Sequence, residues 1–150
     1  MHETAMTRPL ATIGYEGKTV EEFLDALTQA GIQLVIDVRA VAASRRPGFS
    51  KSALAPAVAE RGIDYVHLRA LGTPKPGREA ARKGRIAEMH AIYEGQLATP
   101  EAALALAQAR SAASDHHAAL LCFEADAAHC HRRIVAERLA ESGAFEVTDL

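Results

Sequence analysis

The side chains best suited to chemistry lie close together between residues 120 and 133, in the segment LLCFEADAAHCHRR. They could supply a nucleophile, a general base, metal ligands and an anion-binding guanidinium. These residues are Cys122, Glu124, His129, Cys130, His131 and Arg132. A short apolar run typical of a buried strand precedes them, and apolar residues at helical spacing follow. The cluster is therefore predicted to lie where a strand leads into a helix.

Cys130 and Glu124 are the candidate catalytic residues of this segment. Unpaired backbone N–H groups and the helix dipole stabilise thiolates and phosphates at a helix start, which would lower the pKa of Cys130. Cys130 could then act as a nucleophile, with His131 and Arg132 beside it. The alternative is an inert capping thiol, and a non-catalytic binding module also stays open.

A metal site is a second interpretation of the same residue types. Cysteine and histidine are suitable zinc ligands, and Glu124 could activate a bound water. The ligand candidates are Cys122, His129, Cys130 and His131, with His116 and His117 nearby in sequence. No C-x-x-C or H-E-x-x-H spacing supports the arrangement, and adjacent Cys130 and His131 cannot easily point at one ion. The sequence identifies no cofactor.

The elements that position this cluster alternate between strands and helices. Strands are predicted at residues 10–13, 34–38, 63–68, 118–123 and 145–149. A helix begins at Thr19, where Thr19 and Glu22 form a capping-box pattern and Gly31 is placed to end it. Further helices are predicted after Ser50, at residues 79–93, and from Thr99 to about residue 113, whereas residues 71–77 are predicted to be irregular.

This alternation predicts an α/β fold, a three-layer sandwich with a mostly parallel, about five-stranded sheet and helices on both faces. Residues 1–10 are predicted to be a flexible segment and residues 11–150 a single domain. In such a sheet, ligands bind where loops leave the carboxyl ends of the strands. Those ends carry Tyr15, Glu16, Asp37, Arg39 and Arg69, together with the cluster that begins at Glu124. We therefore expect a cleft at this edge.

Positive charge is concentrated in the middle of the chain. Residues 39–85 contain eleven Lys and Arg but three Asp and Glu, although the whole chain has a net charge of −2. This predicts an anionic partner, either a phosphate-bearing small molecule such as a nucleotide or a nucleic acid. The cationic candidates for phosphate contact are Arg39, Arg45, Arg46, Lys51 and Arg132, with His131 beside them. The alternative is a solvated surface that is rich in arginine.

Asp37, Tyr15 and Glu16 are assigned to the same cleft. Asp37 could serve as a general base or bind a ribose hydroxyl, and Tyr15 could stack on a base. The alternative for Asp37 is a structural ion pair with an arginine at the strand end, which fits the sequence equally well.

Several short motifs together resemble one known family. They are TIGYEG at residues 12–17, DVR at 37–39, SRRPGFSK at 44–51, LG at 71–72, and C-x-E with CHR at 122–132. This combination resembles the prokaryotic domain of unknown function 488 (DUF488). The resemblance implies a compact α/β domain and assigns no activity.

A weaker likeness is to rhodanese-like sulfurtransferases and related phosphatases. Those proteins have a catalytic cysteine, a loop of backbone amides and an arginine a fixed few residues on. The residue five positions after Cys130 is Val135, and Ala127 lies five after Cys122. The usual anion loop of that family is therefore not present in this sequence.

Composition narrows the remaining classes. A chain of 150 residues with 49% hydrophobic content can bury a core without disulfide staples. No apolar run reaches the length of a membrane span, and the first residues lack the order of a signal peptide, so a cytoplasmic protein with no membrane partner is expected. Two cysteines do not make a disulfide framework, which favours reduced thiols. The sequence does not indicate an oligomeric state.

Overall fold

A computed structural model of the protein describes residues 8–123, 131–141 and 143–150. The strands are β1 (Arg8–Gly14), β2 (Leu34–Asp37), β3 (Asp64–His67), β4 (Ala118–Cys122) and β5 (Phe145–Asp149). They form one sheet in the order β3-β2-β4-β1-β5, and every neighbouring pair is parallel. The predicted parallel α/β sheet is confirmed.

Helices cover both faces of this sheet. They are α1 (Val20–Gln29), α2 (Lys51–Glu60), α3 (Lys75–Arg82), α4 (Ile86–Leu97), α5 (Pro100–Asp115) and α6 (His131–Ala140), with a 3-10 turn at Arg69–Leu71. One buried cluster packs α1 and α2 against one face, and a second packs α3 to α6 against the other. Because alternate residues of β2 point to opposite faces, Val35 joins the first cluster and Ile36 the second. The three-layer architecture is confirmed.

Helix α1 begins as its sequence predicts. The Thr19 hydroxyl accepts a hydrogen bond from the Glu22 N–H at 3.1 Å, and the Glu22 carboxylate accepts one from the Thr19 N–H at 2.8 Å. This reciprocal pair satisfies two backbone donors that a helix start leaves open. Gly31 follows the C-cap at a φ of 72°, a conformation that favours glycine.

The region between β3 and α5 differs from the prediction. Residues 71–77 are not wholly irregular, because the 3-10 turn ends at Leu71 and α3 begins at Lys75. The single helix predicted at residues 79–93 is two helices, α3 and α4, separated at Gly84. Gly84 has a φ of 77°, a left-handed conformation that commonly follows the end of a helix. The sequence did not indicate this break, because apolar residues at helical spacing continue beyond Gly84. The result is a helical corner beside the end of β2.

The 3-10 turn packs very closely on the residues that follow β2. A Cβ atom added to Gly72 would lie 2.2 Å from both the Cα and the N of Ala40, so the two backbones are in direct contact. The Tyr93 hydroxyl donates to the Leu71 carbonyl at 2.5 Å and ties α4 to the same turn. These contacts fix α3 and α4 against the carboxyl edge of the sheet.

The start of the chain falls partly within the described residues. Strand β1 begins at Arg8, where Arg8 pairs with Phe145 of β5, two residues before the predicted start. Residues 1–7 of the predicted flexible segment lie outside the described residues. Within the described part of the chain, no helix has the length and apolar character needed to cross a membrane.

Candidate functional site

A cavity of about 740 Å³ opens at the carboxyl edge of the sheet. One wall comes from residues at or just after the ends of β1, β2 and β4, and from the start of α6. These are Tyr15, Arg39, Ala40, Val41, Ala43, Cys122, Phe123 and His131. A hydrogen bond from the Glu16 N–H to the Phe123 carbonyl, at 2.8 Å, joins the ends of β1 and β4. We refer to this space as the cavity.

The rest of the cavity lining comes mainly from helices. It is formed by residues of α3 and α4 and by the segments beside them, namely Thr73, Arg78, Ala81, Arg82, Gly84, Ile86 and Met89. Arg78 and Arg82 are four residues apart and therefore lie on the same face of α3. The Arg78 guanidinium donates to the Thr73 carbonyl at 2.8 Å, and Arg82 is exposed.

The charge of the cavity wall is one-sided. Among the described residues that line it, three are arginines and none is an aspartate or glutamate. No carboxylate in the described part of the chain lies within 4 Å of Arg78 or Arg82, whereas Arg39 is paired with Asp37. Among the described residues, the two arginines of α3 therefore contribute positive charge to the cavity wall that no carboxylate compensates.

Asp37 lies at the end of β2 and is completely buried. Its Oδ1 accepts from Arg39 Nε at 2.9 Å and from the Arg39 N–H at 3.1 Å, and its Oδ2 accepts from Arg39 Nη2 at 2.7 Å. The Tyr65 hydroxyl also donates to Oδ2. Both oxygens of the carboxylate are thus occupied by internal donors.

Most hydrogen-bond donors of Arg39 are also bonded to acceptors within the protein. Its Nη1 donates to the Phe49 carbonyl at 2.7 Å and to the Tyr15 hydroxyl at 3.3 Å, in addition to the bidentate pair with Asp37. Burial lowers the pKa of Arg39, but the hydrogen bonds and charge of Asp37 outweigh this and raise the pKa above its ordinary value. Burial, and then the bond to Asp37, raise the pKa of Tyr65. Arg39 is therefore charged and Tyr65 neutral at physiological pH.

The arginine-rich loop after β2 is closed on itself. The Ser50 hydroxyl accepts from the Ser44 N–H at 2.9 Å and donates to the Ser44 carbonyl at 3.2 Å. Arg46 donates to the Tyr15 carbonyl at 2.7 Å and to the Lys18 carbonyl, and its guanidinium lies 5.2 Å from the centre of the Phe49 ring. Arg46 therefore holds this loop against the turn that follows β1.

An aromatic stack forms the base of this wall. The rings of Tyr15 and Phe49 are parallel to within 9° at a centroid distance of 4.5 Å. The Phe123 ring meets Tyr15 at 77° and 5.3 Å. Tyr15 and Phe49 are almost fully buried, whereas Phe123 keeps 42% of its surface exposed and lines the cavity.

His131 begins α6 and contributes an uncharged ring to the cavity. Its Nε2 donates to the Val38 carbonyl at 2.6 Å, and its ring meets Tyr93 edge to face at 5.2 Å. Burial lowers the pKa of His131 to about 4, with Arg132 acting in the same direction, while the Val38 bond and Asp37 oppose the change. His131 is therefore neutral near pH 7.

Arg132 points into the interior. It is completely buried, and its Nη1 donates to Cys122 Sγ at 3.3 Å. Cys122 is disulfide-bonded, so the expectation of reduced thiols is wrong for this residue. Two cysteines are too few for a disulfide framework, but they are enough for a single bond.

Comparison with family models identifies the chain. The model described as Domain of unknown function DUF488 matches residues 19–139, which is most of the sequence. The chain belongs to the DUF488 family. Comparisons with curated proteins and with solved structures gave no match. Every described residue that lines the cavity, apart from Tyr15, lies within the DUF488 match.

The structure of this DUF488 chain brings together only some of the predicted site residues. Tyr15, Arg39 and His131 line the cavity. The others that are described lie outside its lining: Asp37 and Arg132 are buried, Arg46 is bonded to backbone, and Glu16, Arg45 and Lys51 are exposed. The predicted catalytic residues Glu124 and Cys130 lie outside the described residues.

Sequence reasoning missed the two arginines of α3. It placed residues 71–77 in a loop and treated Arg78 only as part of the basic middle of the chain. The signal was present, because Arg78 and Arg82 share a face in the KPGREAAR helix and follow the Leu71-Gly72 motif. Recognising that α3 begins at Lys75 would have put both guanidinium groups on one side.

The described residues provide no support for the metal site that the sequence suggested as an alternative. Those residues contain no group of three His, Cys, Asp or Glu side chains placed to hold an ion. His116 and His117 precede β4, so they lie at the amino edge of the sheet, opposite the cavity. His129 and Cys130 fall outside the described residues.

Proposed function

We propose that this protein binds a phosphate-bearing small molecule in the cavity at the carboxyl edge of its sheet. The observation that carries the proposal is the pair Arg78 and Arg82, which line the cavity from one face of α3 with no carboxylate near them in the described part of the chain. Guanidinium groups form strong, directional hydrogen bonds with phosphate oxygens.

The other polar groups of the wall support an anion in different ways. Arg39 keeps its positive charge, although Asp37 compensates it. His131 is neutral, so it neither attracts nor repels an anion through a net charge. Among the described residues, the uncompensated positive charge of the cavity wall therefore comes from α3.

The shape of the site favours a small molecule over a nucleic acid. A cavity of about 740 Å³ is within the usual range of about 300 to 1,000 Å³ for sites that enclose small ligands. Arg45 and Lys51, the exposed cations among the predicted phosphate contacts, do not line it. A long backbone would need a continuous row of such contacts.

The proposal can be tested by calorimetric titration and thermal unfolding with inorganic phosphate, ribose 5-phosphate and a short single-stranded oligonucleotide. Arg82→Gln is the decisive variant because Arg82 is exposed and its loss removes no internal contact seen in the described residues. A charge-assisted bond is worth about 1.5 to 3 kcal/mol, so the Kd for ribose 5-phosphate should rise about 10- to 100-fold.

Arg45→Gln is the matched control, since Arg45 is an exposed arginine outside the cavity lining. It should leave the Kd unchanged. The proposal would be abandoned if no phosphate compound bound at millimolar concentration, or if Arg45→Gln weakened binding as much as Arg82→Gln. Tight binding of the oligonucleotide alone would favour a nucleic-acid surface instead.

A further inference from the structure

We propose that Phe123 is a stacking platform for a planar aromatic ring, so that the ligand of the cavity is a nucleotide and not a simple sugar phosphate. This inference rests on the proposed function, because it assigns the part of the same ligand that does not touch the arginines. Its starting point is the position of Phe123 just after β4, on the cavity wall.

Phe123 is exposed in a protein that buries most of its large apolar side chains. Four large hydrophobic residues in the described part are exposed, and two of them, Val41 and Phe123, line the cavity. Leaving an aromatic ring in water forgoes a large part of the stabilisation that its burial would give. The exposed ring is therefore an available apolar surface on the wall of the cavity.

The ring is also held in place before any ligand arrives. Tyr15 contacts it edge to face, and Tyr15 is itself stacked on Phe49. The Phe123 carbonyl accepts the Glu16 N–H, which fixes the backbone at this point. A ring that is already oriented loses little conformational freedom on binding, so a stacked partner gains more affinity from it.

The rest of the wall divides into two chemical regions. Val41, Ala43, Ile86 and Met89 provide apolar surface, whereas Arg78 and Arg82 provide charge. A nucleoside monophosphate has the same division, with a flat base at one end and a phosphate at the other. Every base has a π face, so stacking on Phe123 selects for a base without selecting which one.

The experiment compares adenosine 5′-monophosphate, ribose 5-phosphate and adenosine on the wild-type chain, Phe123→Ala and Phe123→Leu. The wild type should bind adenosine 5′-monophosphate more tightly than ribose 5-phosphate. Both variants should weaken the nucleotide about 5- to 100-fold, the range for loss of base stacking, and leave ribose 5-phosphate unchanged. Leu104→Ala is the control, because Leu104 is exposed on α5 and lies outside the cavity lining.

Phe123→Leu keeps the apolar volume without the aromatic face, so it gives the answer even if the alanine variant folds poorly. Equal affinity of the wild type for the two phosphates, with normal sensitivity to Arg82→Gln, would overturn the stacking role and leave the proposed function standing. An equal loss of both ligands in the Phe123 variants would also overturn it. No binding of any phosphate compound would overturn both proposals.

Discussion

Replacing Asp37 by asparagine tests whether the end of β2 is a structural ion pair. The carboxylate accepts three hydrogen bonds from Arg39 and one from Tyr65, and the side chain has no exposed surface. In Asp37→Asn, one oxygen can still accept from Arg39. The amide nitrogen takes the place of the other oxygen and directs its own donors at those of the guanidinium.

The expected loss of stability in Asp37→Asn follows from the burial of Arg39. Arg39 is only 6% exposed, so the substitution leaves a buried cation without its counter-charge. Removing one partner of a buried pair costs about 3 to 5 kcal/mol. For a domain of this size, each kcal/mol lowers the melting temperature by about 2 to 4 °C, so we expect a decrease of roughly 10 °C. Tyr65→Phe removes a single donor and should cost less, about 1.5 to 3 kcal/mol.

Urea unfolding, followed by circular dichroism, measures these differences as shifts of the midpoint. Asp64→Asn makes the same chemical change at an exposed position at the start of β3, and it should change stability by less than about 0.5 kcal/mol. The reasoning would be refuted if Asp37→Asn cost less than about 1 kcal/mol, or if Tyr65→Phe were the more damaging variant.

Two further predictions concern the walls of the cavity. Gly72→Ala should destabilise the fold by about 1 to 3 kcal/mol in urea unfolding, because the new methyl group would overlap Ala40. Gly95→Ala is the control: Gly95 lies inside α4 with open space around it, so this substitution should stabilise the fold by about 0.5 to 1 kcal/mol. Equal effects of the two would contradict the close approach. His131 has a pKa of about 4 in place of 6.5, so the unfolded chain binds more protons between these values and stability should fall as the pH decreases through this window. One pKa unit corresponds to about 1.36 kcal/mol, so the wild type should lose up to about 3 kcal/mol of its free energy of unfolding over this window. The variant His131→Gln should not show this loss. Parallel pH profiles of stability for the wild type and the variant would contradict the prediction.

The sheet and its flanking helices could be predicted because their signals are local. The strand predicted at residues 145–149 matches β5, and the capping box at Thr19 and Glu22 forms as its residue types indicate. Parallel pairing follows from alternation of strands and helices, which leaves few other topologies. The strand and cap signals are each contained in a few neighbouring residues, and the alternation is the order of those local signals along the chain.

The composition of the site could not be predicted, since it depends on which donors are already engaged. Arg39 and Arg46 look like ligand-binding residues in the sequence. In the fold, both donate to backbone carbonyls, and Arg39 also donates to the Asp37 carboxylate. Those carbonyls belong to residues that are distant in the chain, such as Tyr15 and Phe49. Residue type shows that a guanidinium is present, whereas only the fold shows whether its donors are available.

This distinction divides five arginines from the basic middle of the chain into two groups. Arg39, Arg46 and Arg61 are engaged by internal or surface partners. Arg78 and Arg82 line the cavity with no acid near them among the described residues, although Arg78 also donates to the Thr73 carbonyl. Substituting the first group should lower stability, and any loss of binding would then follow from a distorted wall. Substituting Arg82 should lower affinity at unchanged stability. Measuring both quantities for each variant therefore separates residues that build the cavity from residues that would bind the proposed ligand.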